Sequence, residues 1–297
     1  MIRIGTRKSA LALWQANQVK DRLDLLGVAT VLVPIESEGD QNLKDPLYQM
    51  GIQGIFTKTL DAALLDNRID LAVHSLKDVP TLLAKGIEIS AVLTRGSNQD
   101  VIVYPTKKNR DKIIGTGSLR RKAQWLRKYP DYTVENLRGN VQKRLEKLEQ
   151  SSWSGAVFAQ AGLERLGFTG LIYEPLDWMI SAPAQGIVGI ASLESNKEIQ
   201  PYLKKINCKQ TELCAKVERT FLNTLEGGCT APIGAFSKIE NNTLIFEGGL
   251  FSLDGKKSLI IEEEVSLDQV ANFGKMAAIK ILEQGGEALM EQIKSQM

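Results

Sequence analysis

The chain reads as an α/β protein with a smaller α+β portion at its C-terminal end. Three observations point there. Apolar strand-like runs alternate with amphipathic helical runs through the first third, and repeated β-α-β connections make a mostly parallel sheet. The alternation starts afresh near residue 101, which marks a second α/β lobe. From about residue 209 the texture changes to one long helix followed by three consecutive strand-like runs, the pattern of an α+β domain.

In order, a first strand occupies residues 2–5, and the helix after it carries an apolar stripe at Ala12, Ala16, Val19, Leu23 and Leu26, spaced by three or four. A strand over 30–36, a Gly-rich stretch over 38–54, a helix over about 57–67 and a strand over 69–73 complete the first round. The second round predicts strands at 101–104 and 113–115, a helix at 118–129, a strand at 132–137 and a helix at 141–150. The last portion predicts a helix through 226, strands at 233–237, 244–252 and 258–265, and a terminal helical segment. Residues 94–100 and 195–210 are polar enough to be hinges. With this architecture, ligands are expected in the crevice beyond the strand ends.

Composition narrows the function. At 297 residues with 43% apolar and 24% charged side chains, the chain is an ordinary soluble globular protein. No apolar run approaches the roughly 20 residues of a spanning helix, and residues 1–16 lack a secretory h-region, so a cytoplasmic, non-membrane protein is expected. Cys208, Cys214 and Cys229 form an odd set without C-x-x-C spacing, which argues against disulfides. A single histidine, His74, excludes multi-histidine zinc sites, and no metal is expected. The net charge of +2 gives no reason to expect nucleic acid. Residues 107–147, however, carry thirteen Lys and Arg against four acids, so the middle of the chain calls for an anion.

Four constellations could carry chemistry. Gly115-Thr116-Gly117-Ser118-Leu119-Arg120-Arg121 joins a strand end, a glycine turn, a hydroxyl cap and a first helical turn. The uncapped N–H groups of that turn attract anions, and paired guanidiniums suit carboxylate or phosphate; the plain alternative is a Ser-capped helix with two surface arginines. Leu137-Arg138-Gly139-Asn140 repeats the idea, with Arg144 one turn on and Arg165 farther along in a third arginine-bearing segment, so several carboxylates are indicated. His74-Ser75-Leu76-Lys77-Asp78-Val79-Pro80 ends an apolar strand, where a carboxylate could stabilise a cation or move a proton; the alternative is a simple strand-closing turn. Finally, Glu226-Gly227-Gly228-Cys229-Thr230 leaves a thiol unshielded between glycines and a proline turn. With one histidine in the chain, that thiol is a better attachment point than a turnover nucleophile.

These segments, with Gly5-Thr6-Arg7-Lys8-Ser9, Leu11 to Ala16, Ala161 to Gly167 and Pro183 to Gly189, in this order resemble the porphobilinogen deaminase (hydroxymethylbilane synthase) family over essentially the whole chain. The resemblance implies three domains, 1–93 with 187–206, 94–186, and 207–297, the first two resembling type II periplasmic-binding-protein lobes. It implies a transferase of tetrapyrrole biosynthesis that condenses four porphobilinogen molecules on a dipyrromethane cofactor held by Cys229 through a thioether. Asp78 is the implied catalytic carboxylate, assisting ammonia loss and steadying the resulting cation. Arg7, Ser9, Ser75, Lys77, Thr116, Ser118, Arg120, Arg121, Arg138, Arg144 and Arg165 match positions that bind cofactor and substrate carboxylates, and Gln185 and Gly186 match the cofactor pocket. The family tends to be monomeric, and residues 38–58 are expected to act as a lid. This sequence departs from the family pattern at Gln53, Thr59, Ala184 and Ala191, where lysine, an acid, glycine and glutamate are usual. The rival reading is a non-catalytic two-lobed binding protein for an organic polyanion, which leaves the Gly-Gly-Cys turn and third domain without a purpose.

Overall fold

The computed structural model describes residues 1–36, 57–107, 111–225 and 231–296. The chain runs through β1 (Ile2–Arg7), α1 (Ala10–Asp24), β2 (Thr30–Ile35), α2 (Lys58–Leu65), β3 (Leu71–Ser75) and β4 (Ile87–Val92). Next come β5 (Asp100–Val103), β6 (Asp111–Gly115), α3 (Leu119–Lys128), β7 (Thr133–Glu135), α4 (Val141–Gln150), β8 (Trp153–Ala159), α5 (Gln160–Arg165) and β9 (Tyr173–Pro175). The remainder is β10 (Val188–Leu193), α6 (Gln200–Ile206), α7 (Lys209–Thr224), the strands β11 (Ile233–Glu240), β12 (Thr243–Phe251) and β13 (Ser258–Ser266), then α8 (Phe273–Ile281) and α9 (Glu287–Ser295). These elements fall into two compact units, one of residues 1–36, 57–96 and 186–213, the other of 97–107, 111–185, 214–225 and 231–296.

The first unit is built on a five-stranded sheet in the order β2-β1-β3-β10-β4. β1 pairs in parallel with β2 and β3, while β10 runs antiparallel to both β3 and β4. Alternation along the strands loads both faces. Leu71, Val73, Val188 and Ile190 pack with Ala16, Val19 and Leu23 of α1 and Leu203 of α6, whereas Ala72 and Ala191 pack with Leu60, Ala63 and Leu64 of α2. Residues 195–210 hold a helix where a loop is expected. α6 opens on a proline in its first turn and buries one residue, Leu203, so its composition is that of a loop although one anchor suffices to dock it.

The second unit repeats the topology, with order β7-β6-β8-β5-β9, β6 parallel to β7 and β8, and β5 reversed against β8 and β9. In both sheets the reversed strand occupies the fourth place, and every other strand runs one way. Val101 and Val103 face one core with Phe158 and Leu163; Ile102 and Val157 face the other with Trp125 and Met179. The same unit carries the antiparallel sheet β11-β12-β13, whose inner face stacks Phe246 edge-on between Phe221 of α7 and Phe273 of α8. Its β12–β13 turn lies tight on α3, since a side chain at Gly255 would meet the Ala123 carbonyl oxygen at 2.5 Å. Two α/β sheets and a three-stranded C-terminal sheet are the fold class that the sequence predicts.

Candidate functional site

In the first unit, the side chains that the sequence singles out lie at the C-terminal ends of β1 and β3. Ser9 caps α1, its Oγ accepting from the Ala12 amide at 3.3 Å, and so fixes the turn that carries Arg7. Gln15 of α1 donates to Ser75 Oγ at 2.8 Å, tying the end of β3 to that helix. Leu76, which is buried, donates its amide to the Ile187 carbonyl at 3.0 Å and opens the short turn Leu76–Asp78, with Lys77 and Asp78 half-buried. A buried anchor two residues before a half-exposed carboxylate gives Asp78 a fixed position with access to solvent.

His74 does not share that access. Burial, with the charge of Arg7 adding to it, pulls its imidazole down to about 4 from the usual 6.5, so it is neutral at pH 7 and is not a cationic acid there. The unfolded chain takes up a proton below about pH 6.5 and the folded chain resists until about 4, so stability should fall as pH falls through that window. The expected loss reaches about 3 kcal/mol. Urea unfolding at about pH 7 and about pH 4.5 should show a smaller drop for His74→Gln than for the parent chain; equal drops would contradict this.

The second unit gathers its site residues around a carboxylate that motif reading overlooks, Asp100 at the start of β5. It is fully buried. Its Oδ1 accepts from Arg121 Nε at 3.1 Å, Arg121 Nη2 at 2.7 Å and Gln185 Nε2 at 2.9 Å, while Oδ2 lies 2.7 Å from Arg120 Nη1. Burial alone would push its carboxyl up; the two guanidiniums and the Arg120 and Gln185 hydrogen bonds outweigh that and hold it well below the ordinary carboxylate range. One carboxylate against two guanidiniums leaves a buried surplus of positive charge at the first turn of α3, where the uncapped N–H groups add to it.

The two arginines differ. Arg121 gives its remaining Nη1 to the Val157 carbonyl at 2.9 Å and is held inside the fold. Arg120 donates Nη1 to the Ile180 carbonyl at 2.6 Å, and its buried Nε has no partner among the described residues. Thr116 and Ser118 shape the turn ahead of them: Ser118 Oγ accepts from the Arg121 amide at 3.4 Å and Thr116 Oγ1 from the Ser118 amide at 3.3 Å. Gly117 lets this turn approach the next loop, since a Cβ there would lie 2.7 Å from the Leu137 carbonyl oxygen. Arg138, buried, follows directly, and Arg144 reaches back along the same loop with Nε on the Gly139 carbonyl at 2.6 Å. Arg165 ends α5, its side chain half-buried.

The segment containing Gln185 is itself under strain. Ala184 has φ of 61° in the left-handed region, buried, with its amide on Glu218 Oε2 at 2.7 Å. Gly186 adopts φ of 82° without a Cβ penalty. Glu218, wholly buried in α7, also accepts from the Ser237 amide and hydroxyl at 2.7 and 2.8 Å, joining this segment to β11. A charge on the apolar stripe Thr211, Ala215, Glu218, Leu222 is the sequence signal for it, as an aspartate heading the apolar run Val101-Ile102-Val103 is for Asp100. Cys229, its flanking Gly227 and Gly228, and Gln53 with most of the expected lid lie outside the described residues. The chain resumes at Ala231, and the Ala235 amide donates to the Ser181 carbonyl at 2.9 Å, one residue from the carbonyl that Arg120 grips. Cys208 and Cys214 form no disulfide among the described residues, and Cys214 is buried. No helix among the described residues is long and apolar enough to cross a membrane.

Residues 2–201 match the family model described as "Porphobilinogen deaminase, dipyromethane cofactor binding domain", and residues 212–283 match "Porphobilinogen deaminase, C-terminal domain". Similar proteins named porphobilinogen deaminase include those of Pelotomaculum thermopropionicum, 40% identical over 99% of this chain and 97% of the relative, and Desulfitobacterium hafniense, 39% identical over 99% and 98%. That of Desulforamulus reducens is 36% identical over 99% of this chain and 98% of its own. Among solved structures, the periplasmic VFT2 domain of BvgS from Bordetella pertussis aligns with 69% of this chain and 86% of its own at 12% identity and a TM-score of 0.42, too low to carry an argument. With two matched domains and such identity along nearly its whole length, this chain belongs to the porphobilinogen deaminase family.

Proposed function

We propose that this protein condenses four porphobilinogen molecules head to tail, with loss of one ammonia at each addition, and releases hydroxymethylbilane by hydrolysis. The observation that carries this reading is the family match over 99% of the chain, joined by a buried cluster whose donors suit carboxylates. Each pyrrole ring brings two carboxylates, and the second unit meets them with Arg120, Arg138, Arg144 and Arg165, with Arg121 backing Arg120 from inside the fold and Thr116, Ser118 and Gln185 shaping the surroundings. Arg7, Ser9, Ser75 and Lys77 serve the same end in the first unit. Asp78 steadies positive charge as ammonia leaves and then accepts the proton released when the new carbon–carbon bond is complete.

The donor set fits a dipyrromethane. A buried Arg120 nitrogen without a partner among the described residues, a surplus positive charge and the first turn of α3 all favour a carboxylate-bearing group. When bound, the cofactor supplies the pyrrole carbon to which the first substrate adds. Cys229 holds it through a thioether; it lies four residues before Ile233, a span of at most about 14 Å of extended chain. In this reading residues 207–297 act as a third domain, and the protein works as a cytoplasmic monomer that needs no metal, membrane or nucleic acid.

Incubation with porphobilinogen tests the reading: pyrrole consumption with ammonia release in equal amounts supports it, and an inert protein contradicts it. Arg120→Leu and Arg138→Leu are each expected to lower kcat/KM by about 10- to 100-fold, the worth of one charge-assisted hydrogen bond. Unchanged kinetics in both would reassign these arginines to the fold alone.

A further inference from the structure

We propose that Asp100 is a positioning residue for carboxylate recognition, one that locks Arg121 in place and thereby concentrates the free positive charge and the open donor on Arg120. The inference rests on the function proposed above. Asp100 gathers three segments far apart in sequence: its own strand, the first turn of α3, and the Gln185 segment, whose Nε2 also reaches the Asn98 carbonyl at 2.7 Å. Arg121 spends Nε and Nη2 on the carboxylate and Nη1 on a β8 carbonyl, so all three of its nitrogens are engaged within the fold. Arg120 shares only one nitrogen with Asp100, through the second carboxylate oxygen, and keeps Nε buried and unpartnered among the described residues.

Two adjacent arginines at a helix start therefore have different duties. Arg121 with Asp100 is a rigid floor, and Arg120 is the member with charge and hydrogen-bonding capacity left for a ligand carboxylate. Arg120 Nη1 is held by both Asp100 Oδ2 and the Ile180 carbonyl, which anchors that end of the guanidinium while Nε stays outside both contacts, a pre-organised donor for a carboxylate.

Asp100→Asn strips the countercharge from two buried guanidiniums, and that variant can fail to fold. Asp100→Glu keeps the charge and lengthens the arm by one methylene, so it displaces the guanidiniums without unbalancing them. Expected for Asp100→Glu is a KM for porphobilinogen raised about tenfold, kcat within about threefold of the parent, and a thermal midpoint within a few degrees of it. An unchanged KM, or a lowered midpoint with both kinetic constants intact, overturns the positioning role. A parent protein that turns over porphobilinogen while Asp100→Glu matches it counts against Asp100 alone; a parent protein without turnover overturns both the role and the function on which it rests.

Discussion

Asp78→Asn is expected to leave the fold intact and to cut kcat by about 10²- to 10⁴-fold, the range associated with loss of a positioned acid–base group. The substitution is nearly isosteric, and the anchors of the turn are elsewhere: the Leu76 amide on the Ile187 carbonyl, the Val79 amide on the Leu76 carbonyl, and the Leu76 side chain against Gly189. Removing the charge should therefore spare the backbone. What disappears, in the proposed reading, is the negative charge that steadies a developing cation and the oxygen that receives a proton. Neighbouring groups offer no replacement, because His74 is buried and neutral at pH 7 and Lys77 carries the wrong sign. Steady-state kinetics beside circular dichroism checks this; kcat within about threefold of the parent would remove Asp78 from the chemistry.

Cys229→Ser is expected to lower activity by at least about 10²-fold, because a hydroxyl is a far poorer nucleophile than a thiolate and does not retain a primer. The loss should come with a folded protein, since β11 is held to Ile180 and Ser181 through Gly234 and Ala235. Cys208→Ser serves as the control. Thr211 and Thr94 hydrogen bonds, set against burial, bring the Cys208 thiol below its ordinary range, which makes it the described cysteine best able to compete as an attachment point. Retained activity in Cys208→Ser with loss in Cys229→Ser assigns the attachment to residue 229.

The parts of the fold legible in the sequence are those with local signals. The α1 stripe shows at three- and four-residue spacing, and α4 has its Asn140 cap and its bounds plain in the sequence, the cap oxygen accepting from the Lys143 amide at 2.9 Å. Strands β8 and β10 are different. They are buried on both faces and rich in small residues, so neither alternates polar with apolar and neither announces a strand. Their pairing decides the topology of both sheets, and pairing is a long-range property.

The site follows the same division. Ser118 as cap and Arg120 near the helix start can be read from Gly115 to Arg121, because caps and first turns are local. The burial of Arg121 cannot, since its partner Asp100 lies 21 residues earlier, on a strand rather than on the same helix. Glu218 escapes for the same reason: its partners are the Ala184 amide and Ser237, 34 and 19 residues away. The strained φ at Ala184, where the family pattern has glycine, acquires a physical cost only once the backbone is seen.

Intact mass spectrometry of the purified protein bears most directly on the tethered primer. The parent chain should weigh more than its sequence by two linked pyrrole units, the excess should persist in Cys208→Ser, and it should vanish in Cys229→Ser. A fully active parent protein at the bare sequence mass, or an excess that survives Cys229→Ser, would contradict a pyrrole chain grown from that thiol.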